Sequence, residues 1–333
     1  MLVRLSLPWD FRLGKRMRLS SQAIGWLALV TTTIAGSTYS AFAKDISRAL
    51  SPWSLLFLSE FLTLLFVTAS FGCIPLLQQT YRLSKEILLP LFIIAILNSA
   101  LAPLLWFTGL QGTAAVNASL FGSSDVFFLI ILATIILRES IGRAHIAAAG
   151  CIALGIVFVA LRGFEEHVTL QWGDVLILMA SFNYSVGSIV FRKYLHHIEP
   201  QIVIFFRSCV ALGIFFITSL FVPHPLLHEM RSFPLNLVPA LLGFAFIARF
   251  LNVFMYYIAI DRLEVTTVSI FNSLSIVLGP VFAFILIEER LHWYHFVAGG
   301  FLFIGTLLFE FIGVHPTKTH HRNYLDRRIH NAS

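Results

Sequence analysis

Charge is scarce in this sequence. Lys, Arg, Asp and Glu make up only 12% of 333 residues, against 58% hydrophobic residues and a mean hydropathy of +0.84. That balance excludes a water-soluble globular domain, which needs far more polar surface. Cysteine is nearly missing as well: Cys73, Cys151 and Cys209 lie in or beside apolar runs without C-x-x-C spacing, which argues against a disulfide framework and a thiolate metal site. The sequence has no phosphate-binding glycine loop, no dinucleotide fingerprint, no H-E-x-x-H pair and no Ser/His/Asp order. ATP-driven transport by this chain alone is therefore excluded, no cofactor or metal is expected, and the short loops leave no room for a catalytic domain, so the chain is not read as an enzyme. Three N-x-[ST] triplets begin at Asn117, Asn183 and Asn331; two lie at membrane depth and the third closes the sequence, so none is read as a glycosylated loop.

What fills the sequence instead is long hydrophobic runs. About 20 apolar residues cross the hydrocarbon core as a helix. Ten windows qualify, over residues 21–43, 53–75, 86–109, 113–137, 144–162, 172–191, 201–222, 235–259, 265–287 and 293–313. Trp26, Trp53, Trp172 and Trp293 sit at their margins, where indole rings favour the interface. The expected fold is an all-α integral membrane protein of ten transmembrane helices. Ala41-Phe42-Ala43 has the form of a signal-peptide cleavage site, but the first window has a counterpart later in the chain and is read as retained.

The net charge of +6 follows topology rather than nucleic acid. With the N-terminus cytoplasmic and the windows alternating, sixteen Lys and Arg fall inside, among them Arg12, Arg82, Lys85, Arg192, Arg262 and Arg327. Five fall outside: Lys44, Arg48, Arg162, Arg231 and Arg290. This is the positive-inside asymmetry, and it places both termini in the cytoplasm. Residues 1–20 form a basic topological anchor, with Met17 an alternative start, and residues 314–333 a cytoplasmic tail.

The chain also repeats itself. At an offset of 148, Gly25, Ser37, Ser40, Lys44, Pro52 and Phe57 meet Gly173, Ser185, Ser188, Arg192, Pro200 and Phe205. At an offset of 150, Ser119, Phe121, Ser123, Glu139, His145, Gly150 and Gly155 meet Ser269, Phe271, Ser273, Glu289, His295, Gly300 and Gly305. Residues 21–162 and 172–313 thus read as two five-helix copies joined by an outer linker, 163–171. Because five is odd, the second copy enters the membrane from the opposite side. Such inverted-topology repeats are an architecture of secondary transporters, with the site near the midplane between them.

The segments "IAGSTYSAFAK", "NASLFGSSDVFF" and "ILRESIGRAHIAAAGCIALGIVFV", with "ASFNYSVGSIVFRK", "MYYIAI" and "IEERLHWYHFVAGGFLFIG" in the second copy, resemble the drug/metabolite transporter superfamily, in particular its ten-span EamA-type members. The resemblance covers residues 21–313. It implies a substrate path enclosed by the third, fourth, eighth and ninth spans, with the fifth and tenth packing the repeats or pairing protomers in a homodimer. It also implies outward transport of a small polar metabolite, an amino acid or related compound, from a bacterial inner membrane. Two departures stand out: Ser123-Ser124-Asp125 after "NASLFG", and Glu60 after Ser59, near where the second copy carries Phe206-Arg207.

Four charges fall within the spans: Glu60, Asp125, Arg207 and Arg249. A charge centred in lipid costs at least about 2.5 kcal/mol, so each needs a cavity or a partner. Asp125 lies about 12 residues and Arg249 about 14 residues into its span, near the midplane at about 1.5 Å per residue. They are the expected facing pair or substrate clamp, Asp125 taking up a proton or an ammonium group and Arg249 a carboxylate or phosphate. Glu60 is placed in the outer part of its span and Arg207 in the inner part of its own, where gating, proton coupling or a headgroup contact is expected. Asn98, Ser99, Asn252, Asn272 and Ser275 are further cavity candidates whose alternative is interhelical bonding. Trp106 and Tyr256 are expected as interfacial anchors, His145 and His295 as interfacial residues, Glu139 and Glu289 as helix caps. Gly150, Gly155, Gly299, Gly300 and Gly305 are expected as close-packing positions, and Gly279-Pro280 as an interruption of the ninth span. The expected partners are the lipid bilayer, a small-molecule substrate and a coupling proton. The competing functions are an organic-anion or nucleotide-sugar-like exchanger using the arginines, and a scaffold or receptor that transports nothing.

Overall fold

The computed structural model describes residues 21–137, 143–162, 171–195, 198–221, 225–263 and 265–313. Among them the ordered elements are all helical. In a bilayer every backbone polar group must be satisfied internally, and a helix does so within one segment. In chain order the helices are α1 (Ser21–Ser37), α2 (Tyr39–Ile46), α3 (Pro52–Phe71), α4 (Cys73–Tyr81), α5 (Lys85–Ile94), α6 (Ala102–Gly112), α7 (Ala115–Gly122), α8 (Asp125–Leu137) and α9 (Arg143–Ala160). There follow α10 (Trp172–Val190), α11 (Pro200–Ser219), α12 (Leu226–Arg231), α13 (Val238–Gly243), α14 (Asn252–Arg262), α15 (Val265–Asn272), α16 (Ser275–Ile287) and α17 (Trp293–Gly313). Among the described residues six helical stretches are long and apolar enough to cross a membrane: Pro52–Phe71, Lys85–Gly112, Ala115–Ile136, Trp172–Leu195, Pro200–Ser219 and Leu235–Tyr256. Shorter apolar helices accompany them.

Local sequence sets the starts and breaks. Pro52 and Pro200 begin α3 and α11, where a missing N–H costs nothing, and the Ser51 hydroxyl accepts the Ser54 N–H at 3.5 Å. Short non-helical steps, most of them polar, interrupt the apolar rods: Thr38 separates α1 from α2, Ser123 and Ser124 separate α7 from α8, and Ser273 with the apolar Leu274 separates α15 from α16. The interruption expected at Gly279-Pro280 lies earlier, because α16 runs unbroken through both residues. Two longer rods widen in mid-span instead of breaking, and α10 ends in a further π-helical segment, Phe191–Leu195. α5 passes into α6 through a π-helical turn, Ala95–Leu101, and α13 into α14 through another, Phe244–Leu251. Such turns are frequent at functional sites.

The two halves pack on each other in antiparallel pairs. Gly25 lies against Arg262 and Leu263, and Gly36 against Asn252, which sets α1 along α14. Gly173 abuts Gly109 and Gly112, and Gly187 abuts Asn98, setting α10 along the α5–α6 rod. Gly155 meets Ala298 and Leu302 while Gly305 meets Ala148 and Ile152, pairing α9 with α17. Phe57 packs on Phe215 at 4.5 Å between ring centroids, and Val67 clusters with Ile204 and Phe205, pairing α3 with α11. Close packing through small residues is how membrane helices associate. Of the five glycines expected in that role, Gly155 and Gly305 fill it; Gly299 has only Leu120 near, and Gly150 and Gly300 face open space. The periphery is apolar, with Leu65, Ile135, Phe216 and Ile304 exposed, the reverse of a protein folded in water.

Candidate functional site

A cavity of about 610 Å³ lies between the halves. Breaks and widened turns carry much of its polar wall: Asn98 and Ser99 stand in one π turn, Arg249 in the other with Asn252 just after it, and Asp125 and Ser275 open α8 and α16 after their breaks. Glu60 enters from α3, Arg207 and Ser208 from α11, and Asn272 from the end of α15. All nine intramembrane residues singled out above as charged or cavity candidates line this one space, Arg207 among them rather than at a headgroup.

Their pairing differs from expectation. Arg249 does not face Asp125; it forms an ion pair with Glu60 through Nη2 and donates Nη1 to Ser59 Oγ at 3.2 Å. Glu60 also accepts Ser208 Oγ at 2.7 Å and is 1% exposed. Depth along a helix gives no rotation, and the π turn that carries Arg249 changes its register, so the acid and base that meet are on α3 and the α13–α14 rod. Arg207 donates Nε to Ser99 Oγ at 2.9 Å and Nη2 to the Asn98 carbonyl at 3.1 Å. At the repeat offsets, Ser59 is equivalent to Arg207 and Ser99 to Arg249. Each arginine thus binds the serine that holds the other's equivalent position. Asp125 is exposed to the cavity at the first turn of α8, where the helix dipole favours a carboxylate. No side chain among the described residues forms a hydrogen bond or ion pair with that carboxylate.

The aromatic residues were expected elsewhere. Trp106 and Tyr256 line the cavity rather than the interface. Trp106 is buried because Gly122 leaves room for its ring: a Cβ there would stand 2.4 Å from the indole. Tyr39 meets Trp106 edge-on at 5.7 Å and Tyr184 meets it at 6.4 Å, forming an aromatic wall. Among the described residues the buried Trp106 Nε1 and Asn98 Oδ1 have no hydrogen-bond partner. The Tyr39 hydroxyl lies near that of Tyr184 but outside hydrogen-bonding geometry. Asn252 is braced by Thr32, whose hydroxyl donates to its side-chain oxygen at 2.7 Å. Ser59, Ser208, Tyr39 and Tyr184 were missed in the sequence; the signal for the serines was their coincidence with Arg207 and Glu60 at the repeat offset.

A second polar group closes one end of the bundle. Lys44 donates to the carbonyls of Leu110 and Thr113, and Thr113 Oγ1 donates to Asp174. Glu289 accepts the N–H groups of Ala115 and Val116, both at 2.9 Å, capping α7 of the other half. Glu288 ends α16 with φ +56°, in the left-handed region. His295, expected at the interface, is 5% exposed and bonds Asn117 at 3.0 Å. Glu139 lies outside the described residues. Among the described residues no cluster of three or more His, Cys, Asp or Glu could hold a metal.

The family described as EamA-like transporter matches residues 23–161 and again 171–311. An uncharacterized transporter of Methanothermobacter thermautotrophicus is 28% identical over 240 residues, covering 71% of this chain and 68% of that protein. A probable amino-acid metabolite efflux pump of Escherichia coli is 24% identical over 199 residues, covering 58% of this chain and 67% of the other. A solved crystal structure, at 15% identity, superimposes with a TM-score of 0.59 over 86% of this chain and 95% of its own, a likeness of fold.

Proposed function

Since the chain belongs to the EamA-like transporter family over both of its halves, we propose that it is a secondary transporter exporting an amino acid or related small metabolite by alternating access. The observation that carries this is the polar cavity lined from both halves and holding charges of both signs. The antiparallel packing of α3 on α11 and of α9 on α17 supports ten spans in two inverted repeats, one rocking against the other about the site. Asp125, exposed to the cavity and without a side-chain partner among the described residues, is the group for a cargo ammonium or a coupling proton. Asn98, Asn252, Asn272 and Ser275 supply neutral hydrogen bonds. Cytoplasmic placement of both termini fits the charge asymmetry, export from a bacterial inner membrane rests on the family resemblance, and the amino-acid cargo rests on the name of the E. coli relative.

Purified protein in proteoliposomes, given labelled amino acids with and without a proton gradient, tests the proposal. Gradient-stimulated uptake or counterflow is expected, and absence of both for every amino acid refutes it. Single cysteines at Arg82 and Arg231, introduced after replacing the native ones, are expected to label from opposite faces; labelling from the same face refutes the inversion. A second reading, an organic-anion exchanger, is favoured by Arg207, which has no carboxylate partner among the described residues. Counterflow that ignores pH separates the two readings, and binding without any flux marks the scaffold or receptor instead.

A further inference from the structure

We infer that Arg207, not Arg249, is the cargo-binding arginine of the cavity, and that its ligand is a carboxylate carried by the cargo. The inference deepens the transport reading and rests on it. Two arginines meet where α3, α11 and the two π-widened rods converge, but among the described residues one carboxylate, Glu60, stands beside them. It is committed to Arg249, and its second oxygen is taken by Ser208. At the repeat offset Glu60 is equivalent to Ser208, so the second half supplies no counterpart acid. Arg207 is left with two neutral oxygens, Ser99 Oγ and the Asn98 carbonyl, which engage Nε and Nη2 and fix the plane of the guanidinium. Its Nη1 has no hydrogen bond to a described residue.

An arginine cannot shed its proton, so this part of the cavity keeps one uncompensated positive charge. The unpaired Asp125 holds the opposite charge on another wall of the same space. Had the two been within reach they would form an ion pair, and none forms. Two opposite, separated and unsatisfied charges fit a cargo that brings one of each. A guanidinium already held in plane loses little freedom when a carboxylate docks. The Glu60–Arg249 pair, neutral and bonded across the halves, instead joins the two halves at the site.

The test is binding by detergent-solubilised full-length protein, followed as ligand-induced thermal stabilisation with a panel of L-amino acids and the matching α-carboxamides. Wild type is expected to prefer the carboxylate form. Arg207→Gln is expected to bind that form roughly tenfold or more weakly, the loss of a charge-assisted contact, and to lose the preference. Glu60→Gln/Arg249→Gln, which removes the other pair together, is expected to keep it. Unchanged carboxylate binding by Arg207→Gln, loss of preference in the double variant alone, or no carboxylate preference in wild type overturns the assignment. Carboxylate-selective binding without flux in proteoliposomes removes the transport reading and leaves Arg207 as the anion-binding group.

Discussion

Breaking the Glu60–Arg249 pair should cost much more than removing it. Glu60 is 1% exposed and the arginine side chain is 10% exposed, so either charge left alone sits desolvated between helices. Removing one partner of such a pair costs about 3–5 kcal/mol, while replacing both is often near neutral. Glu60→Gln leaves Arg249 with Ser59, and Arg249→Gln leaves Glu60 with Ser208; each single variant should lose about that amount. Glu60→Gln/Arg249→Gln strands no charge and should fall within about 2 kcal/mol of wild type. Equilibrium unfolding in mixed micelles of the four proteins gives the coupling energy directly. If the single losses add up to the double loss within about 0.5 kcal/mol, the two groups do not depend on each other and the ion pair is not the inter-half joint described here.

Gly173→Ala should destabilise by about 2 kcal/mol or more in the same assay, because its Cβ would stand 2.4 Å from the Gly109 carbonyl oxygen. Gly300→Ala, facing open space, should be neutral or gain up to about 1 kcal/mol. Glu289→Ala should lower stability by about 1.5–3 kcal/mol by uncapping the Ala115 and Val116 N–H groups, and Glu289→Gln by less; equal values for all three proteins would deny the cap. Asp125→Asn should abolish the dependence of proteoliposome flux on a proton gradient, and unchanged dependence would exclude Asp125 from coupling. Trp106→Phe removes the indole N–H, which has no partner among the described residues, and leaves a smaller aromatic ring; it should weaken cargo binding by about 1 kcal/mol, read as ligand-induced stabilisation relative to the variant's own unliganded melting temperature.

The sequence revealed the polar wall well and its pairing badly. A charge or amide at membrane depth has few places to go, so Glu60, Asp125, Arg207, Arg249, Asn98 and Asn252 all turn toward one space. Which acid meets which base depends on helix rotation, and two π turns and three breaks alter that rotation in ways no residue count predicts. Trp106 and Tyr256 were misplaced for a related reason: an aromatic ring near the end of an apolar run resembles an interfacial anchor, and only the space above Gly122 shows that Trp106 turns inward. Two glycines of the α9–α17 seam were legible from spacing, and Gly150 and Gly300 were not, since repetition in sequence does not say which face a glycine occupies.

The two π turns end at Leu101 and Leu251, residues that correspond at the repeat offset. Two identical units packed antiparallel would show such a turn twice, and an ionised side chain placed in it would appear in duplicate. Within one chain the two turns are free to differ: Ser99 stands in one where Arg249 stands in the other, and Glu60 has Ser208 as its counterpart. The unlike charges of this centre are therefore encoded once each.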